Sequence, residues 1–302
     1  MKILNLGSLN IDRVYRVEHY AETGETIQAE EYGEFCGGKG LNQSIALARA
    51  GAEVFHAGCV GADGGILLDM LTAAGVKTDF IRESGERSGH AVIQVNPDGQ
   101  NKITIFRGAN GDVTPSYIDE VLAHFGPADM LLLQNEISNV SYAIDKGREK
   151  GMTVVFNPSP INDSIAQCDL QKVDYLILNE VEGRQLAGTD AEDVQTLLGK
   201  LQEKFSGAVL VLTLGSRGSY YADGEEILYQ GIFPSKAVDT TGAGDTFTGY
   251  FLAGAAAGRT PAEAMKYAAA ASAISVRRRG AAPGIPSFGE VFQEMRQLRE
   301  KE

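Results

Sequence analysis

A glycine-rich segment near the carboxyl end, 239–247 (DTTGAGDTF), carries the residues best suited to chemistry. Two glycines within three residues let the backbone turn several N–H groups toward one point, at the start of a predicted helix. These donors, from Gly242, Ala243 and Gly244, are suited to stabilising a phosphoryl group during transfer. Asp245 lies in the first helical turn, where a carboxylate can deprotonate an attacking hydroxyl. The alternative is an ordinary capped helix in which Asp245 only complements the helix dipole.

A second glycine-rich segment, from Gly37 to Gly40, precedes the first predicted helix. It fails the pattern of a phosphate-binding P-loop, because Gly40 follows Lys39 where serine or threonine is required. A flexible glycine turn that carries Lys39 and Asn42 instead suits donation of hydrogen bonds to sugar hydroxyls. An ordinary loop with a solvated lysine is the alternative.

The elements that must position these segments follow from hydrophobic periodicity. Buried strands are predicted at 3–7, 54–59, 130–133, 153–156, 175–178 and 209–214. Helices are predicted at 41–50, 66–74, 116–124, 142–150, 193–204, 246–257, 261–276 and 288–299. This alternation predicts an α/β fold with a mostly parallel central sheet covered by helices on both faces. Short strands at 15–17 and 27–35 and a hairpin at 91–95 and 102–106 predict a small antiparallel sheet beside it.

The composition argues against several classes of protein. The net charge of −13 disfavours nucleic acid as a partner. No apolar run approaches the roughly 20 residues of a membrane span, and the start does not resemble a signal peptide. Three scattered cysteines without a C-x-x-C pair disfavour a zinc site or a disulfide framework. We therefore expect a cytoplasmic protein with one domain over 1–302, whose lid strands come from about 12–35 and 88–106.

Together the two glycine-rich segments resemble the signatures of the ribokinase family of carbohydrate kinases (the PfkB superfamily), in the same order and over nearly the whole chain. Segments 7–12, 24–26, 108–110 and 157–160 are also similar to that family. The resemblance implies a ribokinase-like fold with a small antiparallel β lid, and transfer of the γ-phosphate of ATP to a primary sugar hydroxyl. Asp245 is then the catalytic base, and D-ribose is the expected acceptor.

The resemblance also implies the binding residues. Sugar contacts are expected from Asn10, Asp12, Gly38, Lys39, Asn42, Glu136 and Asp245. ATP contacts are expected from Asn179, Thr213, Gly215, Ser216, Arg217, Gly218 and Gly244. Mg²⁺ is expected near Asn179 and Glu182, through water. A monovalent cation, K⁺, is expected at Asp239 and Thr241 with backbone groups of Ser275, Arg278, Gly280 and Gly284. A homodimer through the lid is expected as well.

Three positions depart from the family pattern and leave the acceptor open. Gly284 and Ala269 stand where some members carry a polar residue, and Leu41 replaces a smaller alanine. A kinase for another sugar, a nucleoside or a sugar acid is therefore an alternative. A non-catalytic sugar- or nucleotide-binding protein is another, although the intact Asp245 and its glycines argue against it. A nicotinamide dehydrogenase is disfavoured because Phe247 occupies the third glycine position of its fingerprint.

Overall fold

The computed structural model, which describes residues 1–299, contains two β-sheets and the helices that pack on them. The strands are β1 (Ile3–Leu6), β2 (Asn10–Arg16), β3 (Glu31–Gly37), β4 (Val54–Val60), β5 (Lys77–Glu83), β6 (Gly89–Val95), β7 (Asn101–Phe106), β8 (Met130–Gln134), β9 (Thr153–Asn157), β10 (Tyr175–Asn179), β11 (Val209–Thr213), β12 (Ser219–Ala222) and β13 (Ile227–Gln230). The helices are α1 (Lys39–Arg49), α2 (Gly65–Ala73), α3 (Pro115–Leu122), α4 (Val140–Glu149), α5 (Glu180–Ala187), α6 (Val194–Lys204), α7 (Ala243–Ala256), α8 (Pro261–Ser275), α9 (Ala281–Gly284) and α10 (Phe288–Arg299).

The larger sheet has nine strands in the order β13-β12-β11-β10-β9-β8-β1-β4-β5. Its strands are parallel from β11 to β5, and β12 and β13 close one edge in antiparallel pairing. Successive strand residues point to opposite faces, so Met130 and Leu132 of β8 enter the core with α1, α7 and α8, whereas Leu131 and Leu133 enter the core with α3 to α6. The predicted parallel sheet with helices on both faces is confirmed.

The smaller sheet has four strands in the order β3-β2-β6-β7, and we call it the lid. Its outer pairs are antiparallel, as predicted, whereas its central pair β2–β6 is parallel. A parallel pair needs a long crossover, and the chain supplies it by running through β3, α1, β4, α2 and β5 between the two strands. The first lid strand begins at Asn10, earlier than predicted, so residues at the exit of β1 belong directly to the lid.

Five of these strands and helices have no counterpart among the predicted ones, and one of them is the four-residue helix α9. Strand β5 is a sheet edge with a mixed, half-exposed sequence, and β12 and β13 have only four residues each, so none carries an apolar run. Helix α5 has eight residues and is started by a capping box between Asn179 and Glu182. Within residues 1–299 no helix is both long enough and apolar enough to cross a bilayer.

Candidate active site

Glycine on both sides allows the exit of β1 and the start of α1 to pack backbone against backbone. A Cβ added to Gly40 would lie 2.6 Å from the carbonyl carbon of Gly7 and 2.7 Å from its Cα. Leu41 N donates to Ser8 O at 3.0 Å, and Gly40 N donates to Ser8 Oγ at 3.2 Å. The glycine segment is therefore closely packed rather than a flexible turn, and Lys39 and Asn42 project from a helix.

Glu136, which follows β8, holds the start of that helix from the other side. Its Oε2 accepts a hydrogen bond from the backbone N–H of Lys39 at 2.9 Å and one from the hydroxyl of Ser8. Burial raises the pKa of Glu136, and the nearby Lys39 ammonium offsets part of that increase. The carboxylate thus stabilises the first turn of α1 while facing the cleft between the large sheet and the lid.

Asp12 lies in the middle of the lid, in a row of directly paired residues. Phe35 of β3, Asp12 of β2, Ala91 of β6 and Ile105 of β7 are neighbours in register, so their side chains point to one face. Burial, with the charge of Glu136 as a second cause, raises the pKa of Asp12 to about 7. The two carboxyl groups therefore share one cleft.

Asn10 is buried at the base of the lid, beside a residue that sequence reasoning did not assign to the site. The side-chain amide of Asn110 donates to Asn10 Oδ1 at 2.7 Å, and Asn110 Oδ1 accepts from Leu9 N at 3.0 Å. A Cβ on Gly89 would clash with both amide side chains. The only sequence signal for Asn110 was the similarity of segment 108–110 to the family.

Asp245 is buried at the start of α7, and amide groups hold both of its carboxylate oxygens. Asn42 Nδ2 donates to Oδ2 at 3.0 Å, and Gln43 Nε2 donates to Oδ1 at 2.9 Å. Gly242 precedes the helix with a φ of 73°, a conformation that favours glycine, and no side chain caps the helix. The N–H groups of Gly244 and Asp245 lie in the first turn, where a helix offers no acceptor. This geometry suits an anion next to a carboxylate base.

One acceptor at this site lacks a partner. Asn42 Oδ1 is buried and accepts no hydrogen bond from residues 1–299, although the amide nitrogen of the same side chain bonds Asp245. A buried carbonyl oxygen without a donor costs free energy, and a hydroxyl of a bound ligand can remove that cost. The donor and acceptor of Asn42 therefore fit a polyol placed against Asp245.

Lys39 interacts with the charges of Asp245 and Glu136 and also with that of Glu182, which belongs to a second group of polar residues. Burial lowers the pKa of its ammonium, but the charges of Asp245, Glu136 and Glu182 outweigh that effect and raise it overall. Glu182 lies in the first turn of α5, so Lys39 is electrostatically coupled to carboxylates from three separate elements. The ammonium therefore stays positive in the cleft.

The residues expected to contact nucleotide line the carboxyl ends of β10 and β11. Asn179 and Thr213 end these strands and are direct neighbours in register. After Thr213, the glycines at 215 and 218 have φ values of 58° and 85° and enclose an exposed single-turn helix that contains Ser216 and Arg217. The guanidinium of Arg217 is paired with Glu180 at the start of α5. The loop and this helix start therefore form one surface.

The residues expected at Mg²⁺ also have a structural role. Asn179 Oδ1 accepts from Glu182 N, and Asn179 N donates to Glu182 Oε2, both at 2.9 Å. Glu182 is 7% exposed, so it is not a solvated surface acid. Mg²⁺ usually takes one or two carboxylates and completes its shell with water and substrate phosphates, so one cleft carboxylate fits.

The loop before α7 is tied to the segment after α8. Asp239 Oδ1 accepts from Thr241 N at 2.9 Å, and Oδ2 accepts from Gly280 N at 2.8 Å. A Cβ on Gly284 would lie 3.3 Å from the carbonyl oxygen of Ser275 and 3.9 Å from that of Arg278. Two carbonyl oxygens thus lie near Gly284, in the segment that Asp239 ties to the loop before α7, and carbonyl and carboxylate oxygens are ligands that suit a hard cation.

Comparison with known proteins agrees with this geometry. The family model described as pfkB family carbohydrate kinase matches residues 1–287. The chain belongs to this family. A ribokinase of Schizosaccharomyces pombe is 36% identical over 96% of each chain, and a ribokinase of Haemophilus influenzae is 33% identical over 95% of this chain and 96% of the relative. The solved Arabidopsis thaliana ribokinase complexed with ribose and ATP matches with a TM-score of 0.86 and 30% identity over 97% of each chain.

In this pfkB family member, the fold brings the predicted residues together in three groups. The sugar group comes from the exit of β1, the lid, the start of α1 and the exit of β8. The nucleotide group follows β10 and β11, and the cation group joins the ends of α7, α8 and α9. Sequence reasoning missed Ser8, Gln43 and Asn110, whose partners are 128, 202 and 100 positions away in the chain.

Proposed function

We propose that this chain is an ATP-dependent kinase that transfers the γ-phosphate to the primary hydroxyl of D-ribose. The observation that carries the proposal is the buried carboxylate of Asp245, which lies at the uncapped start of α7 and directly beside Asn42. Its relatives named ribokinase, one of them solved with ribose and ATP, support this choice of acceptor and donor.

The reaction needs one proton transfer and one phosphoryl transfer. Asp245 takes the proton of the hydroxyl as the hydroxyl oxygen forms a bond to the γ-phosphorus, and the bond from that phosphorus to the oxygen of ADP breaks. The N–H groups of Gly242 and Gly244 stabilise the charge on the transferring group, whereas the N–H of Ala243 already donates to Thr240 O at 3.2 Å. Closure of the lid over the sugar excludes water, which would otherwise accept the phosphoryl group.

The sugar is held by side chains that offer both donors and acceptors. Asp12 and Glu136 accept from hydroxyls, Asn42 offers its unpartnered carbonyl oxygen, and Asn10 contributes an amide beside Gly38 and Lys39. Such a set of side chains matches a polyol, whose hydroxyls both donate and accept hydrogen bonds. It is poorly matched to an apolar acceptor, which would leave these groups buried and unpaired.

On the nucleotide side, we propose that the glycine turn from Gly215 to Gly218 contacts ATP, with Thr213, Ser216, Arg217, Asn179 and Gly244 around it. Asn179 and Glu182 would hold Mg²⁺ through water, and the ion would supply positive charge to the phosphates. Asp239, Thr241 and the carbonyls of Ser275, Arg278, Gly280 and Gly284 would hold K⁺. Because Asp239 also bonds Gly280 N, a cation there would stiffen the loop that leads into α7.

We further propose a single domain that pairs through its lid and acts in the cytoplasm, where ATP is available. Phe35, Ile103 and Ile105 are 47%, 52% and 60% exposed, and their positions in register place them on the same lid face as Asp12. An exposed apolar face of this kind is typical of an interaction surface, and a second copy of the lid offers the same apolar face.

The proposal is tested by measuring ADP release with ATP, Mg²⁺ and K⁺ across ribose, deoxyribose, fructose, nucleosides and sugar acids. Ribose is expected to give the highest kcat/KM. Asp245→Asn is the control, because it keeps the shape of the side chain and removes the base; its kcat should fall by roughly three to four orders of magnitude, with ATP binding retained. Preference for another acceptor would overturn the ribose assignment, and no turnover with any acceptor would overturn the kinase assignment.

A further inference from the structure

Asp245 is held by two neighbouring residues of α1 that differ in their access to ligand. Asn42 bonds Oδ2, is 5% exposed and has an acceptor of its own that lacks a partner within residues 1–299, whereas Gln43 bonds Oδ1 at 2.9 Å and is 0% exposed. Gln43 therefore cannot touch the sugar. Its contact with the carboxylate must act on the reaction, if at all, through Asp245 itself.

The orientation of the Gln43 amide is fixed by a second buried amide. Gln134 Nε2 donates to Gln43 Oε1 at 2.7 Å, which requires the NH₂ group of Gln43 to point the other way, toward Asp245 Oδ1 and Asn157 Oδ1. A flipped Gln43 would place two NH₂ groups against each other and turn a carbonyl oxygen toward a carboxylate. The network thus admits one orientation, in which Gln43 is a donor to Asp245.

The same hydrogen-bond network continues to β1 and β4 of the large sheet. Gln134 Nε2 also donates to Asn5 Oδ1 at 3.0 Å, and Asn5 Nδ2 donates to Ser44 Oγ and to Gly40 O, each at 2.8 Å. Ser44 in turn bonds His56 Nδ1 at 2.8 Å. Burial lowers the pKa of His56 to about 4, so the network ends in a neutral ring at neutral pH. These strands give Gln43 a rigid support.

We propose that Gln43 is a positioning residue for phosphoryl transfer, which keeps the Asp245 carboxylate turned toward the acceptor hydroxyl without contacting any substrate. This inference rests on the proposed role of Asp245 as base. A hydrogen bond to a carboxylate is stronger than one between neutral groups, so it fixes the orientation of the carboxylate. The other charged groups coupled to Asp245 are Lys39 and Glu136, and neither bonds Oδ1, so neither replaces Gln43.

The first test is Gln43→Met, which is similar in length but cannot donate. We expect kcat to fall roughly 10- to 100-fold, because a misplaced catalytic group loses rate even when substrates still bind. The KM values for sugar and ATP should change less than about threefold, since Gln43 touches neither. Tyr250→Phe is the control: Tyr250 is buried in α7, the helix of Asp245, and the variant loses one buried hydrogen bond, to Pro286 O at 2.8 Å, that lies outside this network. It should lower stability and leave kcat within about twofold.

The second test is Gln43→Glu, which keeps the shape and the acceptor for Gln134 and so guards against loss of folding. Two carboxyl groups in contact share a proton, so the acid limb of the kcat profile should move upward by about one pH unit or more. Such a shift shows that residue 43 touches the carboxylate that titrates in the kcat profile. A kcat within twofold of wild type for Gln43→Met, an equal loss for Tyr250→Phe, or an unshifted profile for Gln43→Glu would each overturn the inference.

The role of Asp245 as base and the role of Gln43 can be overturned independently. If Asp245→Asn retains near-normal turnover, the assignment of the base is wrong. If Asp245→Asn is inactive while Gln43→Met turns over normally, the kinase mechanism stands and only the role of Gln43 is wrong.

Discussion

Gly249 of α7 lies directly against Ala46 of α1, one helical turn beyond the contacts that hold the Asp245 carboxylate. A Cβ on Gly249 would lie 2.8 Å from Leu47 N and 3.0 Å from the carbonyl carbon of Ala46. Residues four apart on a helix share a face, so Gly249 continues the face of Asp245, and Ala46 continues the face of Asn42. The close helix contact therefore sets the distance between the carboxylate and the amides that hold it.

Gly249→Ala is expected to separate the two helices, because the added methyl meets backbone atoms that cannot move aside. The free energy of unfolding should fall by about 1–3 kcal/mol, the usual range for overpacking, and kcat should fall more than either KM value. Denaturant unfolding and steady-state kinetics measure both effects. Gly199→Ala in α6 is the matched control: no atom lies within 4 Å of its Cβ position, so it should leave activity unchanged and slightly stabilise the helix. Equal behaviour of the two variants would show that the α1–α7 contact does not set the site.

Sequence alone could predict the large sheet because its strands are apolar runs separated by amphipathic helices. It could also place Asp245 in the first turn of a helix, because a glycine pair commonly precedes a helix start, and the structure has it there; its role as base stays a prediction. The lid strands were harder to place, since β2 and β3 alternate without a long apolar run and begin at Asn10 and Glu31. Strands β5, β12 and β13 were missed because edge strands need little apolar surface.

The supporting residues of the site lay beyond sequence reasoning for a different physical reason. Gln43 and Asn110 are amides whose roles arise only when segments about 100 or 200 positions apart meet. An isolated glutamine in a helix gives no local signal for such a partner. By contrast, Gly40 gave a signal that was misinterpreted, because close backbone packing and a flexible turn both favour glycine.

The raised pKa of Asp12 predicts a pH dependence of sugar binding. The pKa of Asp12 is about 7 in the ligand-free protein. Only the ionised form of its side chain can accept hydrogen bonds from sugar hydroxyls with both oxygens. The KM for sugar should therefore be constant above about pH 8 and rise up to about tenfold per pH unit as the pH falls below 7. Asp12→Asn should raise KM at pH 8 and remove this dependence. Asp98→Asn, an exposed carboxylate in the β6–β7 turn, should keep it.

Ionisation of Asp12 should favour sugar binding but lower the stability of the ligand-free protein. The folded-state pKa of Asp12 lies above its usual value of 3.8, so the folded state binds the proton more tightly than the unfolded state. The free energy of unfolding of the ligand-free protein should thus fall as the pH rises from about 4 through 7. Asp12→Asn should flatten this slope in denaturant titrations. A wild-type KM that does not change between pH 6 and pH 8 would contradict the placement of Asp12 in the sugar site.

The cation group predicts activation by potassium. Replacing Na⁺ with K⁺ at constant ionic strength should raise kcat/KM by about fivefold or more, because ordering of the loop before α7 is coupled to catalysis. Asp239→Asn should lose this response, since it removes the carboxylate that joins Thr241 to Gly280. Asp223→Asn is the matched control, because Asp223 also accepts from two backbone N–H groups, at 3.0 and 2.9 Å, but in the β12–β13 turn. Equal rates in the two salts would remove the basis for a cation site.

The lid face predicts a link between assembly and sugar affinity. Ile105 ends the row that contains Asp12 and is 60% exposed, so Ile105→Glu places a charge in the proposed interface between two lids. In sedimentation at micromolar concentration we expect a dimer for wild type and a monomer for Ile105→Glu. The KM for sugar should rise for the monomer with the KM for ATP unchanged, because the lid contributes residues to the proposed sugar site and none to the proposed ATP site. Thr104→Glu, on the opposite face of the same strand, should remain dimeric. A monomeric wild type with full activity would show that one lid is sufficient to enclose the sugar.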